Sequence, residues 1–388
     1  MPDWSKTMQQ TFEFYRVDPA TWMDDALLEE VKSCSISWDS SAETLGSATI
    51  ESTEVLSEQY VRIYLVTIQN GIRERFALGT FLVQTPSVGF DGRVSSISMD
   101  AYTPLLELKD TMPPRGYAVL KDTPIMETIA YLCAENARAP VIFRKNKDTL
   151  IYLFASDGQS ISGPSGSSIF TDIVFDDSET TLQTDFVSSL DDSWLSFISD
   201  LIANAKHRIS LDEEGHILFT PIQETAALQP VWTFDDSNSS ILYPEVSINR
   251  DLYGIPNVVE VIYSSGTTVF YSRVVNNNTD SPISTVNRGR EIVHRVTDPD
   301  IGGNPTQGQL DVYARELLEN FSTLEYKVTY KHGYCDRVRV GDAVLLNYER
   351  AGLNNVKAKV VSQTIRCETG CPVEETAVFT TNLWGGNA

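Results

Sequence analysis

The 388-residue sequence predicts a mainly β protein: two antiparallel β modules, each a small barrel or sandwich, flanking a mixed α+β insertion. Three observations predict it. Residues 338–380 alternate apolar and polar with a period of two, broken at Gly341-Asp342, Ala351-Gly352 and Gly370, so each strand has one buried and one wet face. Residues 34–107 carry similar runs at spacings of roughly 8–12 residues, with hairpin signals at Asn70-Gly71 and Asp91-Gly92. Between 108 and 240 the apolar spacing becomes helical. A chain this long exceeds one core, since domains hold roughly 100–200 residues.

In order, residues 1–30 are an N-terminal arm. Asp18-Pro19 marks a helix start, and Trp22, Ala26, Leu27 and Val31 recur at helical spacing; an extended arm is the other reading. The first β module spans 31–107. Residues 60–66 are its clearest strand, and Asn70-Gly71, both tolerant of positive φ, turns it into 73–77 and 80–84. The insertion spans 108–240. Asp122-Thr123-Pro124 supplies a capping oxygen and a first-turn proline, after which Ile125, Ile129, Leu132 and Cys133 share one face. A second helix over 192–205 aligns Trp194, Ile198, Leu201 and Ile202, with Asp191-Asp192 as its cap, and leads into a hairpin turning at 212–215. Residues 157–168 are rich in Gly and Ser and read as a surface loop. The second β module spans 241–388. Its first half is 253–296, its closing half 336–381, and a helix over about 310–321 packs between them.

Composition excludes several classes. A net charge of −23, from 53 acidic and 30 basic residues, disfavours direct nucleic-acid binding, which needs a basic patch. It serves solubility, or an electronegative surface that repels nucleic acid. No apolar run approaches the roughly 18 residues of a membrane span, and residues 1–17 lack the layout of a signal peptide. A soluble chain made in a cytosol, with no membrane insertion, is expected. Five scattered cysteines argue against a disulfide framework. Cys335, Cys367 and Cys371 share one module and are the metal-ligand candidates, with His332 beside Cys335. Their spacing does not match a zinc knuckle, so inert thiols are the plainer reading and no cofactor is assigned. His207 and His216 sit on facing hairpin strands but lack a third ligand. Asp235, Asp236, Ser237 and Asn238 have calcium-loop composition without its glycine and terminal glutamate. Gly163-Pro164-Ser165-Gly166 lacks the strand that a nucleophile elbow requires. The P-loop, dinucleotide fingerprint and HExxH motifs are missing, so no catalytic residue is assigned.

Three passages together carry a resemblance. Phe76-Ala77-Leu78-Gly79-Thr80-Phe81 precedes Asp91-Gly92 and ends at Ile97-Ser98-Met99-Asp100-Ala101-Tyr102-Thr103. Asn257-Val258-Val259-Glu260-Val261 follows the insertion. Ala314-Arg315-Glu316-Leu317-Leu318 leads to Val338-Arg339-Val340-Gly341-Asp342 and a last β run. This order resembles the tail hub, or baseplate hub, proteins of long-tailed bacteriophages and related contractile injection systems, from about residue 30 onward. The resemblance implies two tube-like barrels of similar fold and a homotrimer whose six modules match a six-fold tail tube or distal tail ring. It also implies a spike, fibre or tape-measure protein on the other side, and DNA passing through the lumen without specific binding. It implies a place in the virion tail tip, with assembly in the host cytoplasm. Some relatives hold an iron–sulfur cluster on four cysteines; only Cys335, Cys367 and Cys371 fall together, so this is not carried over. The sequence ends soon after its last strand, so an appended hydrolase or fibre domain is expected on another chain. A non-enzymatic hub is the leading expectation. Another tail-tip component for fibre attachment or receptor binding is second. A β-rich cell-wall or capsule hydrolase, which needs two carboxylates across a cleft, is third.

Overall fold

The computed structural model describes residues 2–90, 92, 95–146, 149–153, 180–237, 240–265, 268–297, 299, 301 and 306–384. The Gly/Ser-rich stretch at 157–168, with Gly163-Pro164-Ser165-Gly166, lies outside them, as do Asp91 and Asn238.

The chain opens with β1 (Gln9–Val17), β2 (Asp24–Leu27), β3 (Val31–Asp39), β4 (Gly46–Ser52), β5 (Tyr60–Gln69), β6 (Ile72–Phe90) and β7 (Ser95–Tyr102). The N-terminal residues are therefore sheet and not the expected helix: β1 pairs with β5 along its whole length. The apparent helical spacing comes from a turn in which Trp22 takes a positive φ and buries its ring.

The insertion follows as α1 (Leu105–Asp110), β8 (Ala118–Val119), α2 (Ile125–Asn136), β9 (Val141–Asn146), β10 (Thr149–Leu153), β11 (Phe186–Val187), α3 (Trp194–Ala203), β12 (His207–Leu211) and β13 (Ile217–Pro221). Helices α2 and α3 face each other over one apolar core with Ile129, Cys133, Phe197, Ile198 and Leu201. Each such side chain contributes about 1.5–3 kcal/mol by leaving water. The expected caps differ: Pro124 is the N-cap of α2 without a side-chain bond, and Ser193, not the aspartates, caps α3 by accepting from Ser196 N.

Then come β14 (Pro230–Asp235), β15 (Leu242–Arg250), β16 (Val258–Ser265), β17 (Thr268–Val275), α4 (Thr285–Arg288), β18 (Val293–Thr297), α5 (Gln307–Ser322), β19 (Thr323–Gly333), β20 (Ala343–Tyr348), β21 (Leu353–Arg366) and β22 (Pro372–Asn382). Strands β16–β18 form their own three-stranded sheet, on which α5 packs through Leu310, Ala314 and Leu318. They are not the first half of the second module, contrary to expectation. That place belongs to β14 and β15.

The main sheet has thirteen strands and runs through both modules. In the first, β3-β4-β7-β6-β5-β1 lie side by side; in the second, β15-β19-β22-β21-β20-β14 do. Setting β2 aside and numbering each set from one to six in chain order gives 2-3-6-5-4-1 in both. Each set also places a bulge between its fifth and sixth strands, at Val83/Thr85 and at Val360/Ser362. Four of the five pairings are antiparallel in both; the last differs, β1 running antiparallel to β5 and β14 parallel to β20. The halves join where the end of β21, Ser362 to Arg366, pairs with β3.

Closed barrels were expected, and none is formed among the described residues. In the second module the sheet curls until β14 and β15 face each other over Phe234, Val328, Tyr330 and Leu346. Among the described residues no strand ladder joins them; Tyr348 Oη of β20 donates to the Pro244 carbonyl of β15 at 3.2 Å.

Candidate functional site

The insertion meets both β modules at one turn. The β12–β13 hairpin turns at residues 212–215, and this turn is held from two sides. On the first module, Trp22 Nε1 donates to the Glu214 carbonyl at 2.8 Å, Arg62 Nη2 donates to the same oxygen at 2.9 Å, and Thr80 Oγ1 donates to the Glu213 carbonyl at 3.2 Å. Arg62 is buried and spends its other donors on Thr80 Oγ1, Asp24 Oδ1 and the Trp22 carbonyl. From the second module Arg339 pairs with the Glu213 carboxylate. Burial pushes the Glu213 carboxyl up while Arg339 pulls it down, and burial prevails although 25% of the side chain stays exposed. Gly215 completes the turn at φ +82°; a Cβ there would meet Thr80 Cβ at 2.8 Å.

Beside this turn lies a cleft of about 110 Å³, bounded by Trp38 and Leu45, by Arg208 and Glu213, and by Arg339 and Val340. All three parts of the chain contribute walls. Gly341 also takes a positive φ, +103°, which L side chains rarely adopt.

A second polar cluster lies inside the second module. Glu375 is fully buried on β22, accepting from Tyr330 Oη at 2.6 Å and from Gln363 Nε2 at 2.7 Å. His332 Nε2 approaches its carboxylate to 3.2 Å, off the line of a hydrogen bond. Desolvation opposes the Glu375 charge, but His332, Tyr330 and Gln363 together outweigh it and hold the carboxyl below its ordinary range. Strands β19, β21 and β22 are fastened together by this cluster, and it has no opening to solvent.

The metal candidates separate. Cys367 and Cys371 lie in the apolar core of the first module with Cys34, while Cys335 is buried elsewhere, with Glu375 and Asp336 as its acidic neighbours. All five cysteines are free thiols and buried. Desolvation pushes up Cys34, Cys133, Cys335 and Cys371, which disfavours the thiolate a metal needs. Among the described residues no group of three or more His, Cys, Asp or Glu has metal-holding geometry. His207 and His216 do not pair across the hairpin. His207 lies opposite Pro221 and contacts the Ala205 carbonyl, whereas His216 precedes β13 and bonds Asp212 Oδ2 at 2.6 Å. His294 packs on Phe321. Asp235 holds Ser237 in a local turn. Sequence reasoning missed the turn at 212–215 as a junction. Only Gly215 after three acidic residues signalled it, and that pattern is common to most hairpins.

Two solved structures share this architecture. The tail protein from Neisseria meningitidis MC58 is 11% identical, over 97% of this chain and 98% of its own, with a TM-score of 0.54. The 43 kDa tail protein of prophage MuSo2 from Shewanella oneidensis is 10% identical, over 95% and 98%, with a TM-score of 0.56. No family model matches the sequence, and no curated protein does. At such identities the shared property is the fold. This chain has the fold of phage tail proteins along nearly its whole length, and the resemblance read from element order is borne out at that level.

Proposed function

We propose that this chain is a non-enzymatic structural hub of a phage tail tip or baseplate, carried in the virion and assembled in the host cytoplasm. Three copies form a ring. Two like modules per chain give six similar surfaces toward a six-fold tail tube or distal tail ring, and a three-fold object toward a spike, fibre or tape-measure end. DNA passes through the lumen without specific binding, kept from sticking by an acidic wall; each chain carries a net charge of −23.

The observation that carries this reading is the strand order 2-3-6-5-4-1, built twice within one sheet of a tail-protein fold. A receptor binder or a hydrolase has no use for the repetition. A ring that must match six neighbours with three chains does. Light scattering on the purified protein, with images of the same fractions, tests it. The expected mass is three times 43.2 kDa, with six lobes around a channel. A chain that stays at 43.2 kDa at every concentration and shows no ring ends the reading.

A further inference from the structure

The two modules share a strand order, but only one of two equivalent edges is covered. In the second module β21 runs past the end of β20, and its residues Ser362 to Arg366 pair with β3 of the first module. Ile365 there stands opposite Ile36, and both are buried, at 2% and 0% exposure. In the first module the equivalent strand, β6, likewise runs past β5. It pairs with β5 only up to Leu82, and from Thr85 to Phe90 it pairs with β7 alone. Residues 85–90 are all exposed. The equivalent of β3 is β15, which ends the main path of the sheet and is exposed along most of its length. Exposed strand edges of this kind are templates for pairing.

The register follows by walking across each set. Just past the two bulges, Thr85 faces Asp100 as Ser362 faces Thr376. Asp100 faces Thr49 as Thr376 faces Thr329, and Thr49 faces Ser35 as Thr329 faces Ser247. The counterparts of Ile365 and Ile36 are therefore Val88 and Ile248. Both are apolar, and both are exposed in the single chain, at 60% and 39%.

We propose that residues 85–89 of β6 in one copy add antiparallel to β15 of a second copy, with Val88 opposite Ile248 and Pro86 opposite Arg250. The two strands belong to different copies because six strands lie between β6 and β15 in the sheet of one chain, seven steps or about 34 Å along the sheet at roughly 4.8 Å per step. Pro86 fits an edge. The Val361 carbonyl accepts from Ser40 N at 2.9 Å and Cys367 N donates to the Cys34 carbonyl at 2.8 Å, so alternation aims residues 361, 363, 365 and 367 of β21 at β3. Their equivalents in β6 are 84, 86, 88 and 90. Proline thus stands where its missing N–H removes one bond toward the partner and none toward β7. The chain already makes this contact once within itself; closing it into three copies rests on the hub reading.

Cysteines at both positions test the contact. Oxidised V88C/I248C protein is expected to run as a covalent trimer on a non-reducing gel. The V88C and I248C single variants, and a V88C/N249C pair whose second thiol faces the other side of the sheet, are expected to stay uncrosslinked. The native thiols do not compete, being buried. Val88→Asp is expected to lose the trimer while keeping the thermal midpoint of the monomer, since Val88 touches no core in the single chain. A trimeric wild type whose V88C/I248C form does not crosslink overturns the contact and leaves the hub reading standing. Crosslinking into an open series beyond three supports the contact and overturns the closed ring. A monomeric wild type with no crosslink overturns both.

Discussion

At the scale of single residues, two positions translate directly into stability. Gly215 sits at φ +82° against Thr80 and Trp22, so Gly215→Ala combines a disfavoured backbone with a clash. The expected loss is about 1–3 kcal/mol in urea unfolding; an unchanged midpoint would mean the turn does not bear on Thr80. Glu375 gives a pH dependence. Its carboxyl is held below the ordinary range in the fold by His332 and two hydrogen bonds, against the cost of burial. A depressed folded value means the stabilisation is complete above the unfolded carboxylate range and is lost as pH falls through the folded value. Glu375→Gln is therefore expected to cost roughly 1.5–3 kcal/mol near neutrality, the worth of hydrogen bonds to a charged group. The gap to wild type should shrink as the solution is acidified below about pH 4. A constant gap from neutral to acid would show that the charge is not what Tyr330 and Gln363 hold. None of this cluster was legible in the sequence as a unit. His332, Gln363 and Glu375 lie on three strands, and only the pairings of β19, β21 and β22 bring them together.

At the scale of elements, the β12–β13 hairpin ties the insertion to the first module through Trp22, Thr80 and, with the most bonds, the buried Arg62. Arg62 donates to Thr80, Asp24, the Trp22 carbonyl and the Glu214 carbonyl. Arg62→Ala removes the Trp22 carbonyl's donor, while the Glu214 carbonyl keeps Trp22 Nε1 and Asp24 keeps Tyr64 and Arg75. A loss of about 3 kcal/mol is expected, with hydrogen exchange accelerated at residues 212–217 and little changed in β19–β22. Uniform acceleration would mean that the hairpin is not a separate attachment. Elements with one strong stripe were legible. The helix expected over 310–321 is α5, Gln307–Ser322, and its Thr306–Gln309 capping box adds a start signal. Strand partners were not legible. Alternation along β16 and β17 marks them as strands, yet they stand in a sheet of their own with β18 and not in the main sheet. β15 places Leu242, Val246 and Ile248 at alternate positions, but Pro244 among them reads as a strand breaker. The helical reading of residues 18–31 arises because Trp22 and Ala26 fall four apart by accident of a turn between two strands.

At the scale of the molecule, the cores are shared between parts that the sequence presents as separate. Val17, Trp22 and Tyr60 of the first module pack into the core of the insertion. Ile365, Cys367 and Val373 of the second module pack into the core of the first. Neither β module can open without exposing its neighbour, so calorimetry is expected to show the two modules and the insertion melting as one transition. Assembly adds an opposing term. Each chain carries −23, and neighbours in a ring repel. The contact we infer between copies joins Val88 to Ile248 across a strand ladder, which offers no ion pair for salt to weaken. The Debye length is about 30 Å at 0.01 M and about 8 Å at 0.15 M. Raising salt across that range removes most repulsion between exposed charges on different chains and leaves the apolar and hydrogen-bonded contact intact. The trimer fraction at fixed protein concentration should therefore rise with salt, by sedimentation or light scattering. A trimer that falls apart as salt rises would be held by charge pairs instead. That outcome would move the interface away from the β6 and β15 edges to surfaces where the 30 basic residues meet the 53 acidic ones.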